Sequence, residues 1–80
     1  MESSQERSSL ALERVVGRYE NRVRVIGYRH RLAPSELDEL FQEVRIRLWK
    51  ALKDPDSIEG TSASYVYRTA SSAAIDLIRR

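Results

Sequence analysis

Leu37, Leu40, Phe41, Val44, Leu48, Ala51 and Leu52 follow a three-four spacing. That spacing lines up side chains on one face of an α-helix, and a strand cannot use it because strand side chains change face at every residue. Two further stripes share it: Leu12, Val15, Val16, Tyr19, Val23 and Ile26 before it, and Val66, Ala70, Ala73, Ala74 and Leu77 after it. No segment reads as a strand pair. The expectation is an all-α fold, a three-helix bundle around one core, or four helices if a short extra turn forms.

The breaks between stripes are chemical. Pro34 disfavours helical geometry at Ala33, so the first helix should end near Arg31 or Leu32. In "PSELDEL", Ser35 can cap a new helix with Asp38 three residues on, and acids in the first turn suit the helix dipole. "KDPDSIEGTS" ends that helix with Pro55, Gly60 and a cluster of turn formers, its one apolar residue, Ile58, pinning the loop to the body. The third helix starts between Thr61 and Ser64. Residues 1–9, "MESSQERSS", read as a flexible polar lead, and 10–80 as the helical domain. Gly17 and Gly27 should each weaken the first helix by roughly 1 kcal/mol relative to Ala.

Eighty residues allow one domain, and a chain of that size buries only about 60% of its unfolded surface. There is no cysteine, which excludes disulfides and thiolate metal sites and is compatible with a reducing cytoplasm. The lead lacks a secretory apolar core, and no apolar run approaches the roughly 20 residues of a membrane span. A cytoplasmic protein without membrane contact is expected. His30 is the only histidine, with no Cys or carboxylate pair at ligand spacing, so neither a metal nor a cofactor is expected. The three glycines, at 17, 27 and 60, form no phosphate cradle, and the serines have no base and orienting partner nearby. Nothing points to an enzyme.

Charge is segregated although the net is only +2. Six arginines and one acid lie between Arg14 and Arg31, four acids and no base between Glu36 and Glu43. Arg14, Arg18 and Arg22 recur every four residues as a ridge, read by default as a solvated face, with upstream DNA or the acidic second helix as the alternative partners for some of the first-helix arginines. Glu39, Gln42 and Glu43 lie at i, i+3 and i+4 and converge on one patch beside Asp38 and Glu36. Such a patch suits a partner helix that presents arginines, since carboxylates accept paired guanidinium bonds. A capped, dipole-compensated helix start that meets only water accounts for it equally well.

"ELDELFQEVRIRLWKAL" followed, after a loop, by "ASYVYRTASSAAIDLIRR" resembles region 2 of bacterial RNA polymerase sigma factors of the extracytoplasmic-function class. The resemblance spans about Leu12 to Arg80 and rests on two ordered motifs. It implies that Asp38, Glu39, Gln42 and Glu43 bind a basic coiled coil on the clamp of the polymerase's largest subunit. It also implies that the third helix and the loop Asp54 to Ser64 face the non-template strand of the −10 promoter element, which such domains melt, and hold an extruded base. The matching DNA-facing positions are Ile58, Ser62, Ser64, Tyr65, Tyr67, Arg68, Ser72, Arg79 and Arg80.

An opened strand needs cations for its phosphates and surfaces for its bases. Arg68, Arg79 and Arg80 supply the first and Tyr67 the second, while Asp76 is expected to orient a neighbouring arginine. Tyr65 replaces the family's usual Trp. Ser72 replaces a usual Asn, exchanging a donor-acceptor amide for one short hydroxyl. Trp49, one residue off the main stripe, is expected to be wedged between helices. Full members of the family carry a second domain that reads the −35 element, so a fragment or an isolated domain is expected, with an anti-sigma protein as a further partner. The alternative is a helical interaction domain that meets another protein through the acidic helix and never touches nucleic acid.

Overall fold

The computed structural model describes residues 3–80, without the side chain of Ser4. It is helical throughout, with no strand among the described residues. Five helices stand where three, or four with a short extra turn, were expected: α1 (Ser4–Arg18), α2 (Glu20–Arg29), α3 (Pro34–Leu52), α4 (Pro55–Glu59) and α5 (Ala63–Arg79).

The first apolar stripe is divided at one residue. Tyr19, at φ −108° and ψ 16°, is at once the C-cap of α1 and the N-cap of α2. Its N–H still reaches the Val15 carbonyl and its carbonyl still accepts from Val23, both at 3.1 Å. The bonding is therefore nearly continuous and only the direction changes. The turn lets α1 lie chiefly against α4 while α2 lies against α5 and α3. The apolar spacing continues across Tyr19, which is why the stripe read as one helix.

The lead differs too. Ser3 caps α1 by accepting from the Glu6 N–H, and helix begins at Ser4 rather than Leu10. Ser8 is 3% exposed, and its hydroxyl donates to the Lys53 carbonyl at 3.2 Å. Met1 and Glu2 lie outside the described residues.

α2 ends earlier than expected, in a closed terminal turn. Arg31 takes φ 57°, the Leu32 N–H returns to the Gly27 carbonyl and the Arg31 N–H to Tyr28, each at 3.0 Å. This is the paired-carbonyl end that glycine usually supplies; an arginine held there costs roughly 1 kcal/mol. α3 then starts at Pro34, one residue before the expected Ser35 cap. Ala33 is the N-cap and has no side-chain acceptor, so only half of a capping box forms, with Glu36 accepting from the Ala33 N–H at 2.8 Å.

α3 ends in a tight turn at Lys53, φ 64° and ψ −48°, closed by the Asp54 N–H on the Leu52 carbonyl at 2.7 Å. Asp54 then caps α4, accepting from the Ser57 N–H at 2.9 Å and its hydroxyl at 2.7 Å. These bonds hold the Asp54 carboxyl below the usual carboxylate range, with the Ser57 N–H as the main cause. What read as loop is therefore partly a one-turn helix, seated by Ile58 at 0% exposure.

The core gathers Leu12, Val15, Val23, Ile26, Leu40, Val44, Leu48, Ile58, Val66 and the alanines of α5. Ala70, Ala73 and Ala74 are all fully buried, so α5 approaches α3 on its small side and turns its larger residues outward.

Candidate polymerase and nucleic-acid surfaces

On α3, the acidic-amide cluster straddles a ridge. Glu39 and Glu43 line a cleft toward α5 with Arg47, Ala73, Asp76, Leu77 and Arg80. Asp38 and Gln42 line a second cleft toward α2, with Glu20, Arg24, Leu37, Phe41 and Arg45. Gln42 is exposed and Glu43 partly so; neither is sealed in the core. The four residues share a helix and point to two sides of it.

The cleft toward α5 is wired by arginines. Arg47, its side chain 29% exposed, donates to Glu43 at 3.0 Å, to Asp76 at 2.6 Å and to the Ser72 hydroxyl at 3.3 Å. The Asp76 bond is the main cause that raises the Arg47 guanidinium above its ordinary value, against the opposing effect of burial. Asp76 thus orients an arginine, as expected, and that arginine comes from α3. Arg80 bonds Glu39 across the same cleft, and this bond is likewise the main cause of its raised value. A residue assigned to DNA and a residue assigned to the polymerase are therefore partners of each other.

Continuing along the α3 ridge, Ile46 is 44% and Trp49 45% exposed. Trp49 is not wedged between helices, contrary to expectation. Gln42, Ile46 and Trp49 stand at i, i+4 and i+7, one stripe facing solvent, so the polar patch runs directly into an uncovered apolar one.

The residues matched to the DNA-facing segment have unequal placements. Ile58 is fully buried and so cannot reach a strand; it is scaffold, because a five-residue helix must bury its one large apolar side chain to stay seated. Ser62 caps α5 by accepting from the Tyr65 N–H at 3.1 Å, and Tyr65 is half-buried against the core. Ser72 faces Arg47. Arg68, Ser72, Ile75 and Arg79 sit at i, i+4, i+7 and i+11 on α5, the stripe opposite the buried alanines. Ser64, Tyr67 and Arg68 line a cleft of about 510 Å³ with Ala63 and Arg22; Arg79 is not part of it. Arg29 donates to the Tyr67 hydroxyl at 3.2 Å.

The arginine ridge of the first stripe is divided as well. Arg14 and Arg18 pair with Glu59 of α4, at 3.0 and 3.6 Å, while Arg22 passes to the α2–α5 cleft. Sequence reasoning left Arg22 and Arg29 on a solvated face by default and did not single them out from the other first-helix arginines. Their i, i+7 spacing marks one face, but which helix that face meets is a tertiary fact.

Among the described residues no three His, Cys, Asp or Glu side chains are placed to hold a metal ion, and no helix is long and apolar enough to cross a membrane. Neither the curated proteins nor the solved structures contain a match to this chain. The family model for sigma-70 region 2 matches residues 15–80, a span that takes in both surfaces and most of the core. By that match the chain belongs to the sigma-70 region 2 family, transcription initiation domains that recognise promoters and have RNA polymerase and DNA as partners.

Proposed function

We propose that the chain is the region 2 module of an extracytoplasmic-function sigma factor, working with the polymerase in the cytoplasm. The α3 ridge docks on the basic coiled coil of the largest subunit's clamp, and the outward stripe of α5 faces the non-template strand of the −10 element. The observation that carries the reading is the composition of the ridge. Glu39, Gln42 and Glu43 lead without interruption into Ile46 and Trp49, whose exposure of nearly half has no reason within the isolated fold. Carboxylates beside an uncovered Trp suit a partner helix that alternates arginines with apolar residues, because ionic contact sets register and apolar burial supplies affinity. An anti-sigma protein that blocks the polymerase would cover the same ridge.

On α5, Arg68 and Arg79 are available for phosphates and the Tyr67 ring for a base. The Ser72 hydroxyl is engaged by Arg47, so base capture there requires that bond to yield. Arg80 is likewise held by Glu39 and reaches a phosphate only when that pair opens.

Charge reversal tests the ridge. Glu39→Lys with Glu43→Lys should abolish capture by a purified clamp-helix fragment while far-UV circular dichroism stays unchanged, and Trp49→Ala should weaken capture by about 10-fold or more. Undiminished capture by the charge-reversed chain would remove the clamp assignment. Retained capture together with no affinity for single strands at low salt would favour a purely protein-binding domain.

A further inference from the structure

We infer that α1 is a positioning brace for strand recognition. Ser8 at one end of α4, and Arg14 with Arg18 at the other, hold that helix and the turn after it in one placement, and so set base preference without touching the strand. The inference rests on α5 being the strand-facing helix and concerns how the first turn of that helix is presented.

The first support is how little else holds α4. It has five residues and one buried side chain, Ile58, too few for a helix to persist unaided. Its link to α3 is strained. Lys53 takes φ 64° and ψ −48°, and the Asp54 N–H meets the Leu52 carbonyl at 2.7 Å, which makes the rarer, strained form of γ-turn. Such a backbone persists only where its surroundings enforce it. The Ser8 hydroxyl, donating to the Lys53 carbonyl at 3.2 Å, supplies that hold from α1.

The second support is the convergence at the far end of α4. Arg14 donates to one Glu59 carboxylate oxygen at 3.0 Å, and the Arg18 guanidinium lies 3.6 Å from the other. Arg18 also donates to the Glu59 main-chain carbonyl at 3.4 Å. Exposed ion pairs add little to stability. Two guanidinium groups one helical turn apart, gripping both oxygens and the carbonyl of a single residue, instead fix where its backbone stands.

That position is passed on. Glu59 closes α4, and three residues later Ser62 caps α5. The backbone between them is tied back to α4, the Gly60 N–H to Asp56 at 2.9 Å and the Thr61 N–H to Ile58 at 3.2 Å. The placement of α4 therefore sets that of Ser62 and Ser64, both exposed at the start of the strand-facing helix. Ser8 and Arg14 stand before the matched span 15–80, so the family match does not account for them.

Two measurements on the full chain decide the matter, each made where circular dichroism shows the variant folded. Amide hydrogen exchange should quicken about 10-fold or more at Ile58, Gly60 and Thr61 in Arg14→Gln with Arg18→Gln, and stay unchanged at Ala70 and Ala73. Fluorescence anisotropy uses a panel of labelled single strands that differ at one base at a time, in low and moderate salt. The affinity ratio between the tightest and weakest strands should shrink about 3- to 10-fold, with the salt slope unchanged because no phosphate contact is lost. Glu59→Gln should reproduce both effects, and Ser8→Ala should act in the same direction. The charge-mirrored variant, Arg14→Glu and Arg18→Glu with Glu59→Arg, should restore exchange and ratio together, which a direct contact with the strand cannot do. A lower salt slope in the arginine variants, or a loss that the folded mirrored variant fails to recover, would place the arginines on the strand and overturn the brace. Exchange that stays slow would overturn it as well, and so would faster exchange with the ratio intact, which leaves a purely structural contact. A native chain that binds none of the strands would overturn the reading of α5 itself, whatever the exchange shows.

Discussion

Ile58→Ala should unseat α4 and lower stability by about 3 kcal/mol. The side chain is fully buried and is the only buried residue of that helix. Deleting three carbons removes roughly 2.4 kcal/mol of transfer free energy at about 0.8 kcal/mol each. Incomplete collapse around the cavity places the total within the roughly 2–5 kcal/mol typical of such truncations. A chain of 80 residues has about 4–12 kcal/mol to lose, so the variant should stay folded in the cold yet melt about 12–24 °C lower, at roughly 4–8 °C per kcal/mol. Urea titration followed by circular dichroism gives the free energy. A loss below about 1 kcal/mol would refute the view that Ile58 anchors the α3–α5 connection. Ile58→Val separates packing from contact. It should cost only about 0.5–1.5 kcal/mol and leave strand affinity per folded molecule unchanged; weaker binding by the folded valine variant would show that the residue touches DNA after all.

The two helical glycines of the first stripe should respond with opposite signs. A Cβ on Gly17 meets nothing within 4 Å, so Gly17→Ala should stabilise by about 0.5–1 kcal/mol, whereas a Cβ on Gly27 would stand 2.5 Å from Leu37 Cδ1, so Gly27→Ala should cost about 1 kcal/mol net after overpacking offsets the helix gain. Thermal melts of both variants, and of Gly27→Ala combined with Leu37→Ala, check the mechanism, since the glycine penalty should vanish in the double variant. Ser8→Ala should cost about 1 kcal/mol in urea titration, because the Lys53 carbonyl loses its hydroxyl partner. Asp54 carries a pH signature: its folded value lies below its unfolded one, so its contribution is complete above the unfolded value and disappears as pH falls through the folded one. The advantage of the native chain over Asp54→Ala should therefore be constant near neutrality and shrink below about pH 4; a difference independent of pH would refute the capping role.

Much of the fold was legible because its cause is local. The α3 stripe from Leu37 to Leu52 and the alanine face of α5 depend only on helical period, and Pro34 and Pro55 mark real boundaries. The break at Tyr19 was not legible, since Tyr keeps the apolar register and the change of direction comes from packing α1 on α4. Helix α4 was read as loop even though Asp54, Pro55 and Gly60 are ordinary start and stop residues, because one turn is too short to show a period. The sites divide in the same way. Spacing placed Glu39, Gln42 and Glu43 on one helix surface, but nothing in it tells that Arg80 reaches Glu39 or that Arg47 joins Glu43 to Asp76. Such pairs, like the company of Arg22 with Arg68, depend on how helices meet. The exposure of Trp49 depends on the same thing: one residue off the stripe, it could face a neighbour or water, and no neighbour covers it.

The shared guanidinium of Arg47 bears on how lesions in this domain are interpreted. Asp76→Asn leaves that cation with Glu43 as its one remaining carboxylate, dampening the charge of the ridge from the far side of the cleft. Glu43→Gln, conversely, leaves Arg47 to Asp76 and Ser72 and tightens the hold on the Ser72 hydroxyl. If the ridge docks on the polymerase and α5 faces the promoter as proposed, a genetic screen that sorts alleles into enzyme-assembly and promoter-opening defects will find these positions in both bins, and epistasis between them, not the phenotype of either alone, reveals which contact was lost.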